Sequence, residues 1–488
     1  MNQVIDYHAI LPELVLSGTV LLVLVVDVFL PARRKSWSMS VALLGVVASL
    51  IATFTLLGET RSTFGGSFVV DNFAILFKIF FLSVAALVLA ISLRYIGEGG
   101  FYQGEYYFLL LTSFLGCVMM PSSRDLLLLF ISLELVSAPG FLMAAFRKRD
   151  PRSNEAGLKF FLIGVLSTAV MLYGMSLIYG ITGGQTGLSA IARELGNLDP
   201  SQETLAFSAI LFVVIGFAFK VSAVPFQFWA PDTYEGAPVP VAAFLAVASS
   251  AAGFAGLLQL MFVAFINQHA FWAPIFAALS IATMTLGNLV ALKQTQVVRL
   301  LAYSGIAQAG YILLPFALVS GEVAVNRSAF SASVAYILIY GIMNLGAFAV
   351  AIAVSRREPT LLIADFAGLA RLAPLLAVGM TTFMISLAGV PPTGGFWAKI
   401  LIFRAAIDRG GIGPWLAVVM LVNSVISVSY YFAIPKQMIF EPAGDESPLR
   451  SPVLVNAVVA LALVAIVAIF VFPNPIARAA DISTLIGG

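Results

Sequence analysis

Stretches of about 20 apolar residues, each bounded by a charge, a proline or a glycine, recur along the whole chain. With those boundaries they are 10-30, 37-57, 71-96, 106-121, 125-146, 158-181, 205-229, 238-265, 272-294, 297-320, 330-355, 374-402, 413-440 and 452-473. Helices of this length cover the hydrocarbon core of a bilayer, so the pattern predicts an all-α polytopic membrane protein of about 14 transmembrane helices. The first run follows Asp6, contains Glu13 and has no basic segment before it, and is expected to be a retained span and not a signal peptide. The connection 182-204 is polar, and its stretch from Leu188 to Leu195 is expected to form a short surface helix without chemistry of its own.

Two of these runs are interrupted alike. Val224-Pro225 is followed by Phe228-Trp229 in the seventh, and Val390-Pro391 by Phe396-Trp397 in the twelfth, with the prolines 166 residues apart. The same shift carries the fourth through eighth runs onto the ninth through thirteenth. Because five is odd, the second unit must start on the opposite membrane face, which describes an inverted five-helix pair of the kind that transporters use. Proline removes a backbone donor and the glycines of Gly389-Val-Pro-Pro-Thr-Gly-Gly395 permit unwinding, so both sites read as broken helices, with a simple proline kink as the alternative. The resulting division is 1-100 for three N-terminal helices, 101-265 and 266-440 for the two units, and 441-488 for the last helix.

Composition narrows the chemistry. Of 488 residues 60% are apolar and 10% charged, against roughly a quarter charged in soluble proteins. A net charge of +2 spread along the chain does not suggest nucleic-acid binding. The one cysteine, Cys117, excludes an intrachain disulfide and a thiolate-held iron–sulfur cluster, and His8 and His269 are poorly placed for a haem. Neither GxGxxG after a strand nor GxxxxGK[ST] is present, so nothing here cradles a nucleotide phosphate. Sixteen of the 26 Lys and Arg, including Arg33, Arg34, Lys35, Arg147, Lys148, Arg149, Arg356, Arg357 and Arg450, follow odd-numbered runs, while seven follow even-numbered ones. Basic residues favour the cytoplasmic side, so both termini are expected to face away from it.

The remaining cations, Lys78, Lys220 and Lys399, fall inside runs, as does Glu134. An ionisable group at bilayer depth costs at least ~2.5 kcal/mol to insert and is by default a functional candidate. Glu134 and Lys220 are the deepest. At a separation of ~6 Å and an effective dielectric of ~20 their attraction would be ~2.8 kcal/mol, enough for a change of distance to load or release a proton. A static buried ion pair is the alternative. Lys78, seven residues beyond Asp71, is expected to anchor at the interface by snorkelling. Lys293, near the end of the ninth run, stands between a solvated helix end and a relay.

Three blocks carry a family resemblance: Ser153 to Gly164 (SNEAGLKFFLIG), Phe219 to Pro238 (FKVSAVPFQFWAPDTYEGAP) and Arg299 to Tyr311 (RLLAYSGIAQAGY). With Gly389 to Lys399 they resemble the antiporter-like N subunits of bacterial NADH-quinone oxidoreductase, respiratory complex I. The resemblance implies a proton-translocating membrane-arm subunit, in the bacterial inner membrane beside other membrane-arm subunits. FMN, iron–sulfur clusters and quinone would then belong to partner subunits, with no cofactor or metal on this chain. It makes Glu134, Lys220 and Lys399 the proton-handling residues, with Lys293 as a further candidate. Two positions depart from the family: Ser250 and Gln308 stand where lysine and histidine are common, and neither titrates. A stand-alone cation/proton antiporter is the competing reading, and a non-transporting scaffold a third.

Overall fold

The computed structural model describes residues 5–31, 35–100, 103–444, 447 and 449–485, so Arg33 and Arg34 lie outside the described residues. Helices α1 (Leu11–Phe29) and α2 (Trp37–Phe54) lead to a two-stranded antiparallel hairpin, β1 (Arg61–Thr63) with β2 (Phe68–Val70), and then α3 (Asn72–Glu98). The hairpin is a small departure from an all-α chain. Arg61 binds it to the N-terminal segment through Asp6 (2.8 Å) and to Glu59 (2.6 Å), and these hydrogen bonds hold both carboxyls below their ordinary range.

The first unit comprises α4 (Gln103–Met119), α5 (Leu126–Ala144), α6 (Pro151–Ile181), the surface helix α7 (Leu188–Gly196), α8 (Glu203–Lys220), α9 (Trp229–Gly236), α10 (Val239–Phe244) and α11 (Ser250–Gln259). Five residues of π-helix, Leu245–Ser249, join α10 to α11. The second unit runs through α12 (His269–Ala291), α13 (Val297–Ala317), α14 (Val323–Ser355), the short α15 (Leu369–Leu372), α16 (Pro374–Ala388), α17 (Gly394–Arg409) and α18 (Gly413–Phe440). The C-terminal elements are α19 (Val453–Val471) and α20 (Asn474–Ile482).

Among the described residues, 12 helices are long and apolar enough to cross a membrane. The other two expected spans take different forms: α4 has 17 residues, and 374-402 is the pair α16 and α17 on either side of a break. The helices start where the sequence supplies acceptors for orphan backbone N–H groups. Asp71 accepts from Ala74 N (2.9 Å), Asp125 from Leu127 N (2.9 Å) and Asp150 from Arg152 N (3.0 Å). The last cap, with Pro151 in the first turn, lets α6 begin seven residues earlier than the apolar pattern alone indicates.

The core lies where the two units meet. In Val239–Ala264 and in α14, 94% of the most apolar stretch is buried, against 28% in α19, whose other faces are left for lipid. Helix α4 packs on α5 and α6 on α8, and further along the chain α12 packs on α13 and α14 on α16.

Candidate functional site

Lys220 is the last residue of α8 and is 3% exposed. Beyond it the chain leaves helical geometry, with Ser222 at φ +57, and resumes at α9. Ending a helix inside the protein strands carbonyls and amides, and the structure supplies partners. The Trp229 indole donates to Phe219 O (3.1 Å), and Val224 N donates to Thr283 Oγ1 (3.0 Å) on α12, which ties the first break to the second unit. The lysine stem lies against Gly253 of α11, where a Cβ would come within 2.9 Å of Lys220 Cγ.

The ammonium group of Lys220 donates to Ser137 Oγ at 2.8 Å on α5. Glu134 precedes Ser137 by three residues, on the same face of α5, and its Oε1 accepts from Thr168 Oγ1 at 2.9 Å on α6. Glu134 and Lys220 therefore make no direct ion pair; each is held by a hydroxyl, with Ser137 interposed.

Lys399 lies on α17, beyond the second break, and is 8% exposed. It reaches back to donate to Ala388 O (2.8 Å), the last residue of α16, and to Ser424 Oγ (3.1 Å) on α18. Its ammonium group also stands over the Tyr311 ring, 4.6 Å from the centroid. Gly389, at φ +82, ends α16 in a left-handed turn, and a Cβ there would fall 2.5 Å from Lys399 Cδ, so glycine is required both for the backbone and for the lysine.

Beside the second break lies a buried hydroxyl and amide network. Gln308 donates to Tyr431 OH (3.0 Å) and Leu387 O (3.0 Å) and accepts from Tyr336 OH (2.5 Å), while Tyr431 OH meets Ser304 Oγ (2.5 Å). On the Lys399 side, Tyr311 OH accepts from Asn288 Nδ2 (3.0 Å), and Asn288 Oδ1 accepts from Tyr430 OH (2.9 Å). Toward Lys220, a small cavity of about 10 Å³ is lined by Ser222, Tyr234, Ser250 and Tyr340 among others. That is room for about one water with polar partners on several sides.

Lys293 does not join this assembly. It is exposed in the turn that follows α12, because the helix ends at Ala291, which matches the solvated helix end of the two readings. Lys78 also differs from expectation: it is fully buried and pairs with Glu13 Oε1 of α1 at 2.8 Å, with its ammonium over the Phe68 ring. Both groups are visible in the sequence as charges within apolar runs, but no spacing rule links residues on α1 and α3. A third cluster was not anticipated from the sequence. Asp232 on α9 accepts from Lys159 on α6 (2.8 Å) and Arg299 on α13 (2.9 Å), and Arg299 also binds Glu235 (2.8 Å). The three blocks that carry the family resemblance thus converge at the end of the broken helix. Among the described residues no group of three or more His, Cys, Asp or Glu side chains can hold a metal ion.

A family profile described as NADH:quinone oxidoreductase/Mrp antiporter, TM, matches residues 123–427. The NADH-quinone oxidoreductase subunit N of Trichlorobacter lovleyi is 42% identical over 463 residues, covering 95% of this chain and 93% of that protein. The chain belongs to the NADH:quinone oxidoreductase/Mrp antiporter membrane family. Another family member, the NAD(P)H-quinone oxidoreductase subunit 2 of Synechococcus elongatus, is 42% identical over 90% of this chain and 82% of its own. A chain of respiratory complex I from Thermus thermophilus, solved with bound aureothin, superposes with a TM-score of 0.78 at 30% identity, covering 96% of this chain and 99% of that one. The family profile takes in Glu134, Lys220 and Lys399 and leaves out α1 to α4, where the Glu13 and Lys78 pair lies.

Proposed function

We propose that this chain is the proton-translocating, antiporter-like membrane-arm subunit of an NADH-quinone oxidoreductase, using quinone reduction elsewhere in the complex to move protons through buried side chains. The observation that carries this reading is the pair of buried lysines, Lys220 and Lys399, each stationed at an interrupted membrane helix. Lys220 and Lys399 are the proton-carrying groups, and Glu134 acts on Lys220 electrostatically through the α5 face they share. Ser137 and Thr168 position these charges, and the hydroxyl and amide network with one water near Ser250 supplies the connection that a titratable residue would otherwise make.

FMN, iron–sulfur clusters and the quinone site belong to partner subunits in this reading, and neighbouring membrane-arm subunits flank the chain. The inner membrane of a bacterium, with both termini on the periplasmic side, fits the excess of basic residues after odd-numbered spans. The division at 100, 265 and 440 follows the repeat and is proposed with it. The test is purification in mild detergent: a flavin- and iron–sulfur-containing arm that stays with this chain, and quinone-dependent proton uptake into vesicles holding that complex, are expected. Isolation as a lone protein that exchanges cations for protons in liposomes would replace this reading with that of a free-standing antiporter.

A further inference from the structure

On the face that the basic residues assign to the cytoplasm, the ends of α3, α5 and α14 and the approach to α19 enclose an open cleft of about 620 Å³. Among the described residues its walls carry four arginines, Arg147, Arg356, Arg357 and Arg450, against one carboxylate, Glu98. That carboxylate is already engaged. Arg356 binds it through Nη2 (2.7 Å) and Nε (3.1 Å), and Arg94 approaches from its own helix at 3.7 Å. Arg356 Nη1 also donates to Arg450 O (3.1 Å), which fixes the backbone of the segment entering α19. The Arg450 guanidinium has no partner among the described residues. Arg147 leans on the Tyr95 hydroxyl and lines a second cleft, of about 520 Å³, together with Lys148, Arg149 and Asp150.

Among the described residues that line it, arginines thus outnumber carboxylates four to one at the level where membrane helices end, with Arg147 also 3.8 Å from Asp150 and Arg357 3.7 Å from Glu358. Three residues past Arg450, α19 begins and presents an apolar wall to the outside, with Val453 at 82% exposed and Leu454, Leu461 and Val464 also exposed. A soluble anion has no use for that wall, whereas a ligand with a phosphate and acyl chains matches both surfaces. We propose that this cleft binds the phosphodiester headgroup of an anionic phospholipid of the cytoplasmic leaflet. Arg450 and Arg147 are the phosphate ligands, Arg356 positions Arg450, and the acyl chains lie along α19.

The probe is a photoreactive phosphatidylglycerol incorporated at low, sub-saturating fraction into phosphatidylcholine nanodiscs that hold the intact complex. Cross-links are expected on this chain between Tyr95 and Glu98 and along Val453 to Val464. Each arginine near a membrane surface is worth roughly a fivefold change in anionic-lipid affinity, so Arg450→Gln should cut labelling about fivefold and the Arg147→Gln/Arg450→Gln pair about 25-fold. Arg450→Lys should retain most of it, and a photoreactive phosphatidylcholine should label these segments weakly in every variant. Equal phosphatidylglycerol labelling of the wild type and the paired variant overturns the proposal, as does an absence of labelling in the wild type, which would mean that a protein neighbour covers the cleft. Loss of labelling on adding inorganic phosphate at constant ionic strength would assign the arginines to a soluble phosphate instead.

Discussion

Lys220 sits before its break, as the last residue of α8, and its ammonium group reaches across to Ser137 of α5, whereas Lys399 sits after its own break, on α17, and its ammonium group reaches back to the carboxyl end of α16. That end carries the negative pole of the helix dipole, which favours a cation there. The surroundings then diverge. Lys220 is separated by one hydroxyl, Ser137, from a helix face that also bears Glu134, whereas Lys399 is held by a carbonyl, a hydroxyl and an aromatic ring. Helix α13, onto which the 166-residue shift expected from the sequence carries α5, has Arg299 in its first turn as its one charged residue. The same helix break can therefore hold a protonatable amine in two ways, one open to adjustment by a neighbouring charge and one dependent on fixed neutral dipoles.

The largest effects should come from removing either amine. Lys220→Ala and Lys399→Ala are each expected to lower proton pumping and coupled quinone reduction together by about 10²-fold, the scale of a lost proton-transfer group. Assays on fully assembled complex check this, and a variant that pumps normally removes its lysine from the path. Next in size is a contrast outside both units. Glu13→Leu or Lys78→Met alone leaves an uncompensated buried charge and should destabilise the protein by about 3–5 kcal/mol, whereas the double replacement should recover most of that loss. Thermal unfolding of the complex measures the stabilities. Unchanged turnover per assembled double mutant would mark this pair as static, in contrast to the two lysines at the breaks.

A smaller, several-fold fall in turnover is expected from Ser250→Leu, which fills the cavity lined by Tyr234 and Tyr340, if protons cross between the halves there. Full activity in this variant would mean that each half works without that water. The smallest effect sharpens the comparison most. Glu134→Gln removes the carboxylate on the α5 face that also presents Ser137 to Lys220, so the pH profile of turnover should change. Ser424→Ala, which takes only a neutral partner from Lys399, should leave the optimum in place. Equal behaviour of the two variants in a pH profile would abolish the distinction between the sites.

The helix breaks and the amines beside them are legible in the amino-acid order. The runs around Val224-Pro225 and Gly389 to Gly395 mark where α8 and α16 must stop, and Lys220 and Lys399 stand out as cations with no aqueous neighbours in sequence. Lys293 reads two ways because it lies at the end of an apolar run, where a residue one turn further along passes from protein into solvent. The polar core is nearly invisible in the same order of residues. Ser304, Gln308, Tyr336 and Tyr431 are single polar residues scattered over α13, α14 and α18, and each alone is an ordinary interior side chain.

What the sequence determined by itself is the set of membrane helices and their interruptions. Transfer of apolar side chains out of water and the need to satisfy backbone hydrogen bonds in lipid are sums over consecutive residues, so they can be read along the chain. Proline and glycine act on their own backbone and are local in the same way. Only the tertiary structure decided which charge meets which partner: Glu13 with Lys78 across α1 and α3, Ser137 between Glu134 and Lys220, and Ala388 beneath Lys399. Those outcomes depend on how helices cross and rotate against one another. An interaction that forms at 2.8 Å and weakens within a few ångströms is set by that packing, which no stretch of consecutive residues encodes.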